Sequence, residues 1–104
     1  MVDAETSVRE HEPIRVLFVD DSRTVRVAYA RLLAEQGYAV EVAVHAEEAM
    51  AIAQTRAFDI AIIDYFMPGE NGDVLCRRLR ADPRTSGLTI AILTGTYLDE
   101  VIQD

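Results

Sequence analysis

Short apolar runs alternate with longer amphipathic stretches along this chain, and that alternation restricts its fold more than any other feature. The run at 14–20 is apolar at both odd and even positions in its middle, which is typical of a strand buried on both faces of a parallel sheet. Similar runs lie at 39–44, 58–63 and 89–93, and Glu41 in the second of them favours an edge of the sheet. The chain therefore predicts four strands.

The stretches between these runs have helical periodicity. The first, at 23–36, repeats apolar residues on one face and arginines on the other, and Gly37 follows it as a typical helix stop. Further helices are predicted over 46–55 and 73–81, and a fourth is predicted to begin within 97–104. The strict alternation of strand and helix predicts an α/β fold, a doubly wound parallel sheet with right-handed crossovers.

The composition fits one globular domain and argues against several classes of protein. The formal net charge of −8 argues against direct binding of nucleic acid, which needs a basic surface. The single cysteine, Cys76, allows no intrachain disulfide, which favours a reducing compartment. Residues 1–13 are polar and acidic, without an apolar segment for export or for a membrane span. We therefore expect a disordered leader over 1–13 and one domain over 14–104, in the cytoplasm and away from the membrane.

Acidic and hydroxyl side chains stand at the ends of the predicted strands. Asp20 and Asp21 follow the first strand, Asp64 ends the third and Thr94 follows the fourth. Ligands of an open parallel sheet bind outside the carboxyl ends of its strands, so these groups are expected to share one crevice. Carboxylates that share a crevice repel each other unless some protonate or a cation lies among them. Oxygen ligands with open coordination positions favour Mg²⁺ or Mn²⁺, which suits chemistry on a phosphoryl group.

Each of these residues alone has a simpler interpretation. A single Asp at a strand end is more often a turn or capping residue, and Asp21 or Ser22 is suited to cap the first helix. It is the joint pattern, with acids after the first and third strands and a small hydroxyl after the fourth, that predicts a functional site.

Other polar residues are interpreted as surface groups. His45 follows the second strand without metal-ligand spacing to another His or Cys. The arginines at 77, 78 and 80 form a basic cluster that is predicted to be a solvated face of the third helix, with a partner contact as the alternative.

Three segments together resemble the response-regulator receiver domain: VDDS at 19–22, IIDYFMPGENG at 62–72 and ILTG at 92–95. The string D-x-x-M-P-G-x-x-G from Asp64 to Gly72 is the most specific of them. The resemblance covers 14–104 and implies a flavodoxin-like receiver fold with strand order 2-1-3-4. It also implies a bacterial two-component signalling domain rather than an enzyme.

The resemblance implies a role for each site residue. Asp64 would accept a phosphoryl group from a histidine kinase or a histidine phosphotransfer protein, which would switch a downstream output. Asp21 and Asp64 would bind Mg²⁺ (or Mn²⁺) directly, Asp20 would act through water, and the backbone carbonyl of Phe66 would be a further ligand. Thr94 would be the hydroxyl that bonds the phosphoryl group and reports phosphorylation.

The chain departs from the family's pattern, above all where a lysine is expected. Receiver domains resemble one another in a fifth strand that ends in lysine, whereas this sequence contains no lysine and ends near the point where a fifth strand is expected. We expect a fragment of a longer protein that lacks the fifth strand and last helix, with a naturally short chain as the alternative. Phosphotransfer by these residues alone is expected to be impaired. An uncovered fourth strand, or the fourth helix, is expected to favour homodimers.

Three rival functions stay open at this point. A degenerate receiver would serve only as a protein-interaction module, which the missing lysine allows. A Mg²⁺-dependent phosphatase with an Asp nucleophile commonly has two acids two residues apart after its first strand, whereas here they are adjacent. A flavodoxin needs a phosphate-binding loop rich in Ser, Thr and Gly, and DDSRT at 20–24 is a poor match.

Overall fold

The computed structural model describes residues 12–94, in which strands and helices alternate as predicted. The strands are β1 (Arg15–Val19), β2 (Ala39–Ala43), β3 (Ile60–Asp64) and β4 (Thr89–Leu93), and the helices are α1 (Arg23–Glu35), α2 (Ala46–Thr55) and α3 (Gly72–Ala81). The predicted leader, apart from Glu12 and Pro13, and the predicted helix within 97–104 lie outside the described residues. Within residues 12–94, no helix is long and apolar enough to cross a membrane.

The strands form one parallel sheet in the order β2-β1-β3-β4, which confirms the predicted α/β class and the predicted order 2-1-3-4. Strand β2, which carries Glu41, lies at one edge as expected. Among residues 12–94, β4 forms the other edge. Val19 of β1 pairs with Ala43 on one side and with Ile63 on the other, so the carboxyl ends of the first three strands lie side by side.

Strand β3 begins at Ile60, two residues later than the sequence predicts. The backbone N–H of Asp59 donates to the carbonyl of Arg15 at 2.9 Å, but the N–H of Arg15 donates to the carboxylate of Asp59, also at 2.9 Å. Because a side chain takes the place of a backbone acceptor here, regular pairing starts only at the next residue. Helix α3 begins at Gly72, one residue earlier than predicted, after Asn71 as its N-cap.

The core lies between one face of the sheet and helices α2 and α3. Its buried apolar side chains come from both layers: Leu17, Val19, Ala61 and Ile63 from the sheet, and Ala49, Ala53, Leu75 and Leu79 from the helices. Each fully buried leucine of this kind stabilises the fold by roughly 1.5–3 kcal/mol. The inner strands β1 and β3, whose ends carry the predicted site, are therefore held firmly.

Helix α1 covers the opposite face of the sheet, but its own side chains are little buried. The ring of Tyr29 stacks on Phe18 of β1, with ring centroids 5.1 Å apart. Phe18 points away from the core of α2 and α3 because successive side chains of a strand alternate between its faces. The described part of the chain buries no residue of α1, and Val27 and Leu32 expose 54% and 52% of their surface.

Candidate functional site

Three carboxylates meet at the carboxyl edge of the sheet. Carboxylate oxygens of Asp20, Asp21 and Asp64 all lie within 4.8 Å of one another. They meet because β1 and β3 are parallel neighbours, with Val19 paired to Ile63 one residue before Asp20 and Asp64. Asp20 is buried, Asp64 is half-buried and Asp21 is exposed, so the cluster opens to solvent on one side.

The turn from β1 into α1 fixes Asp20 by its backbone and its side chain. The N–H of Asp20 donates to the carbonyl of Ala43 at 3.1 Å, which extends the pairing of β1 with β2. One carboxylate oxygen of Asp20 accepts the N–H of Ser22 at 2.9 Å. Ser22, rather than Asp21, is the N-cap of α1, and its hydroxyl accepts the N–H of Val25 at 3.3 Å. Asp21 is thereby left to face the other acids.

A guanidinium from α1 reaches back to the same turn. Nη1 of Arg26 donates to the backbone carbonyl oxygen of Asp20 at 2.9 Å. The periodicity of α1 predicts only that this arginine belongs to the polar face of the helix. Its position six residues after Asp20, at the end of the first turn of the helix, is the signal that could have identified the contact.

Burial raises the pKa of the Asp64 carboxyl above its ordinary value, and the neighbouring Asp20 carboxylate raises that pKa further. The backbone N–H of Phe66 donates to this carboxyl and lowers its pKa, whereas the charge of Asp21 raises it again. The net effect is a raised pKa, so the folded protein favours the ionised form of Asp64 less than the unfolded chain does. A cation among the three carboxylates would reverse this, because an opposite charge at short range favours the ionised form.

The loop between β3 and α3 is folded back tightly against Asp64. The N–H of Gly72 donates to the carbonyl of Tyr65 at 2.7 Å, and Gly69 has a φ of +84°, which favours glycine. The side chain of Met67 is buried in the core and anchors the loop. At Gly72, a Cβ would lie 2.5 Å from the backbone oxygen of Asp64. The segment from Asp64 to Gly72 therefore depends on close backbone packing that its sequence pattern alone did not reveal.

The arginine cluster of α3 is not only a solvated face. Arg78 donates to Glu70 of the loop after β3 at 2.9 Å and to Glu47 of α2 at 3.0 Å, and these partners raise the pKa of its guanidinium. Arg80 donates to backbone carbonyls of the loop before β4, which ties that loop to α3. Arg77 pairs with Asp73 one turn earlier. His45 is likewise the N-cap of α2, where its Nδ1 accepts the N–H of Glu48 at 3.2 Å.

Thr94 and Phe66 follow strands that end at the same edge of the sheet. Thr94 directly follows Leu93, which pairs with Asp64 across the sheet, and the Leu93 carbonyl accepts the N–H of Tyr65 at 2.9 Å. The side chain of Phe66 is 49% exposed and meets the ring of Tyr65 edge to face, with centroids 4.8 Å apart. Both residues thus lie at the edge of the sheet that carries the acids.

Comparison with known sequences identifies relatives over nearly the whole described chain. Residues 16–104 match the family model described as the response regulator receiver domain. Response regulator MprA of Mycolicibacterium vanbaalenii is 37% identical over 89 residues, which are 86% of this chain and 37% of that protein. The protein of the same name from Mycobacterium sp. strain KMS aligns equally well. The chain thus spans less than half the length of the curated relatives that it matches.

Solved structures with the same fold agree with this match. A putative response regulator from Chloroflexus aurantiacus is 34% identical with a TM-score of 0.76, over 86% of this chain and 75% of that one. Chemotaxis response regulator CheY4 of Vibrio cholerae is 31% identical with a TM-score of 0.75, over 85% of this chain and 76% of that one. The order of strands and the placement of helices described above are therefore shared with these proteins.

Proposed function

The chain belongs to the family of response regulator receiver domains of two-component signalling, and on this basis we propose that it accepts a phosphoryl group on Asp64 with the help of Mg²⁺ or Mn²⁺. Receiver domains are signalling domains rather than classical enzymes. The observation that carries the proposal is the meeting of three carboxylates within 4.8 Å, one of which has a raised pKa.

The donor set fits a hard divalent cation. Carboxylate oxygens with an open, solvent-facing side are the ligands that Mg²⁺ prefers, because this ion keeps several of its waters. Asp21 and Asp64 would bind the ion directly, Asp20 would act through water, and the backbone carbonyl of Phe66 would complete the protein's share. Bound there, the cation would neutralise the negative charge that builds up around a transferring phosphoryl group.

The chemical step then belongs to Asp64. A carboxylate oxygen attacks phosphorus, an O–P bond forms, and the P–N bond of a phosphohistidine on the donor breaks with its electron pair going to the imidazole. The N–H of Phe66, which donates to the Asp64 carboxylate, orients the attacking group. Thr94, which follows the strand residue paired with Asp64, supplies a hydroxyl that would bond a phosphoryl oxygen.

The partners follow from the reaction. The phosphoryl donor would be a histidine kinase or a histidine phosphotransfer protein, and the domain would act in the bacterial cytoplasm. The curated relatives are named as response regulators and are much longer than the aligned segment. An output that responds to phosphorylation of Asp64 is therefore part of the proposal for the whole protein.

Intact-mass measurement after incubation with a small phosphoryl donor tests the proposal. The full-length protein is incubated with Mg²⁺ and phosphoramidate, and we expect a single added phosphoryl group that is absent from Asp64→Asn. Asp73→Asn is the matched control, since Asp73 is a nearby acid on α3 that pairs with Arg77, and it should keep the adduct. An adduct that survives in Asp64→Asn would contradict the proposed acceptor.

Partner binding and phosphatase assays beside the mass measurement distinguish the rival functions. A protein that takes up no phosphoryl group but still binds a partner would be a degenerate receiver used as an interaction module. Sustained release of phosphate from a generic phosphate ester would indicate a phosphatase. A surface cavity of about 440 Å³ lies at the amino ends of the strands, beside Ile14, Phe58 and Thr89, on the edge opposite Asp64. It is not placed to present an ester to that carboxylate.

A further inference from the structure

The contact of Arg26 with Asp20 falls on the peptide that joins the first two carboxylate residues. The acceptor of Nη1 at 2.9 Å is the backbone carbonyl oxygen of Asp20, which belongs to the same rigid peptide plane as the N–H of Asp21. Rotation of this plane changes the direction in which the Asp21 side chain leaves the backbone. A group that fixes the plane therefore also fixes the placement of Asp21 beside Asp64.

Among the other hydrogen bonds recorded for this turn within residues 12–94, only the one from Ser22 to the Asp20 carboxylate spans the same plane, and none of them is made by the plane's own carbonyl oxygen. The N–H of Asp20 is held by Ala43 and its carboxylate by the N–H of Ser22. Asp21, in contrast, is exposed, and within residues 12–94 the structure records no hydrogen bond to its carboxylate. Its direction depends on the backbone, which the guanidinium of Arg26 holds at the Asp20 carbonyl.

We propose that Arg26 is a positioning residue that holds the Asp20–Asp21 peptide in the orientation needed for Asp21 to bind the divalent cation. This inference rests on the proposed function, because it assumes a cation among the three carboxylates. Arg26 acts through Asp20 and not on the reacting group itself, since its hydrogen bond goes to a backbone oxygen. A guanidinium suits this role because it keeps its charge and its donors at every relevant pH.

The alternative is a purely structural contact that only strengthens the start of α1. Such a contact would lower the stability of the fold without changing the affinity of the folded protein for a cation. A nearby positive charge without the hydrogen bond is the other alternative. Arg23 tests this second alternative, because it begins the same helix two residues after Asp21, is exposed and carries the same charge.

The test compares Arg26→Met, Arg26→Lys and the control Arg23→Met in the full-length protein, with Mg²⁺ titrated alone and followed by backbone NMR. Loss of a group that orients a metal ligand typically weakens metal affinity by roughly 10–100-fold, and we expect about tenfold or more for Arg26→Met. Arg26→Lys, which keeps one donor and the charge, should recover part of the affinity. Arg23→Met should bind nearly as wild type.

A second readout uses the protein without metal. The amide signals of Asp21 and Ser22 should shift in Arg26→Met but not in Arg23→Met, because only the first change releases the peptide plane. Unchanged Mg²⁺ affinity in a folded Arg26→Met, or an equal loss in both methionine variants, would overturn the inference. If Arg26→Met does not fold, Arg26→Leu, which also lacks a donor, takes its place under the same criteria. Failure of wild type to bind Mg²⁺ would instead contradict the proposed function.

Discussion

Asp64 sits where burial and neighbouring charge act in the same direction on its pKa. The sequence predicted that this residue would meet Asp20 and Asp21, because strand ends in a parallel sheet converge. It did not predict the direction in which the pKa of Asp64 is shifted. That depends on the depth of burial and on the N–H of Phe66, which donates to the carboxyl and opposes the effect of the acids. Such local contacts are set by the folded loop and leave no pattern in the sequence.

Asp64→Asn should stabilise the metal-free protein. A raised pKa in the folded state contributes stability that is present below the unfolded pKa and is lost as the pH rises through the folded pKa, so ionised Asp64 destabilises the fold at neutral pH. Replacement by a neutral amide removes that cost, and because solvent screens a carboxyl that is only partly buried, a small increase in Tm is expected.

Thermal unfolding with and without Mg²⁺ measures this effect. Mg²⁺ should raise the Tm of wild type more than that of Asp64→Asn. Without metal, the difference in Tm between the variant and wild type should shrink as the pH is lowered toward the range where Asp64 protonates. A metal-free Asp64→Asn that is less stable than wild type at neutral pH would contradict this account of the site.

Phe66→Asn should shorten the lifetime of the phosphorylated protein severalfold. The exposed ring of Phe66 follows the acceptor by two residues and rests against Tyr65. An apolar ring there would hinder the approach of water to an acyl phosphate on Asp64, whereas an amide would hydrogen-bond that water. Phe66→Leu is the matched control and should keep a long lifetime. The rate of phosphate release after removal of the donor is the measurement, and an unchanged lifetime in Phe66→Asn would disprove the shielding role.

At the scale of elements, and within residues 12–94, the sequence predicted the number, order and type of strands and helices but not the contacts that join them. The hydrophobic period and the apolar character of the sequence were enough to predict β1, α2 and β4, because the burial of these elements determines both features. The start of β3 was missed because the side chain of Asp59 replaces a backbone acceptor. His45 caps a helix, and Arg80 binds the loop before β4 to α3. Both contacts depend on the geometry at the ends of elements, which a hydrophobic pattern does not record.

Gly72→Ala should displace the loop after β3 and destabilise the fold. A Cβ at this position would lie 2.5 Å from the backbone oxygen of Asp64 and 3.0 Å from a side-chain atom of Ile63. Relieving such overlap in a packed region typically costs about 1–3 kcal/mol. Because the first clash is with the backbone of Asp64, affinity for Mg²⁺ should fall as well.

Gly87→Ala is the control for this change. A Cβ at Gly87 would meet no atom within 4 Å, so its Tm should remain close to that of wild type. Denaturant unfolding of the two variants, together with a Mg²⁺ titration, checks the prediction. Equal stability of the two variants would show that the close approach at Gly72 is not a constraint on the site.

At the scale of the whole molecule, the described residues form a sheet with a hydrophobic edge. Strand β4, TIAIL, pairs with β3 on one side, and within residues 12–94 no strand pairs with its other side. An unpaired apolar edge is a template for pairing with another chain. Residues 1–104 alone should therefore associate as the concentration rises, although a further strand in a longer protein would remove this tendency.

Sedimentation of residues 1–104 over a range of concentrations tests this expectation. Replacement of Ile90, a half-buried β4 residue packed against the core, is unsuitable because it would disturb the fold. Thr89→Pro is unsuitable as well, because the N–H of Thr89 donates to the carbonyl of Asp59 within the sheet at 3.3 Å, so the concentration dependence of the unsubstituted chain is the test. A sharp monomer at high concentration would argue against association through β4.

The central claim is that Asp64 accepts the phosphoryl group, and chemical trapping of the acceptor tests it most directly. The full-length protein is treated with Mg²⁺ and phosphoramidate, the acyl phosphate is reduced with borohydride to homoserine, and the site is located by peptide mass mapping. We predict homoserine at position 64 and intact aspartate at positions 20 and 21. Homoserine at another acid, or none at position 64 in a protein that takes up phosphate, would contradict the account.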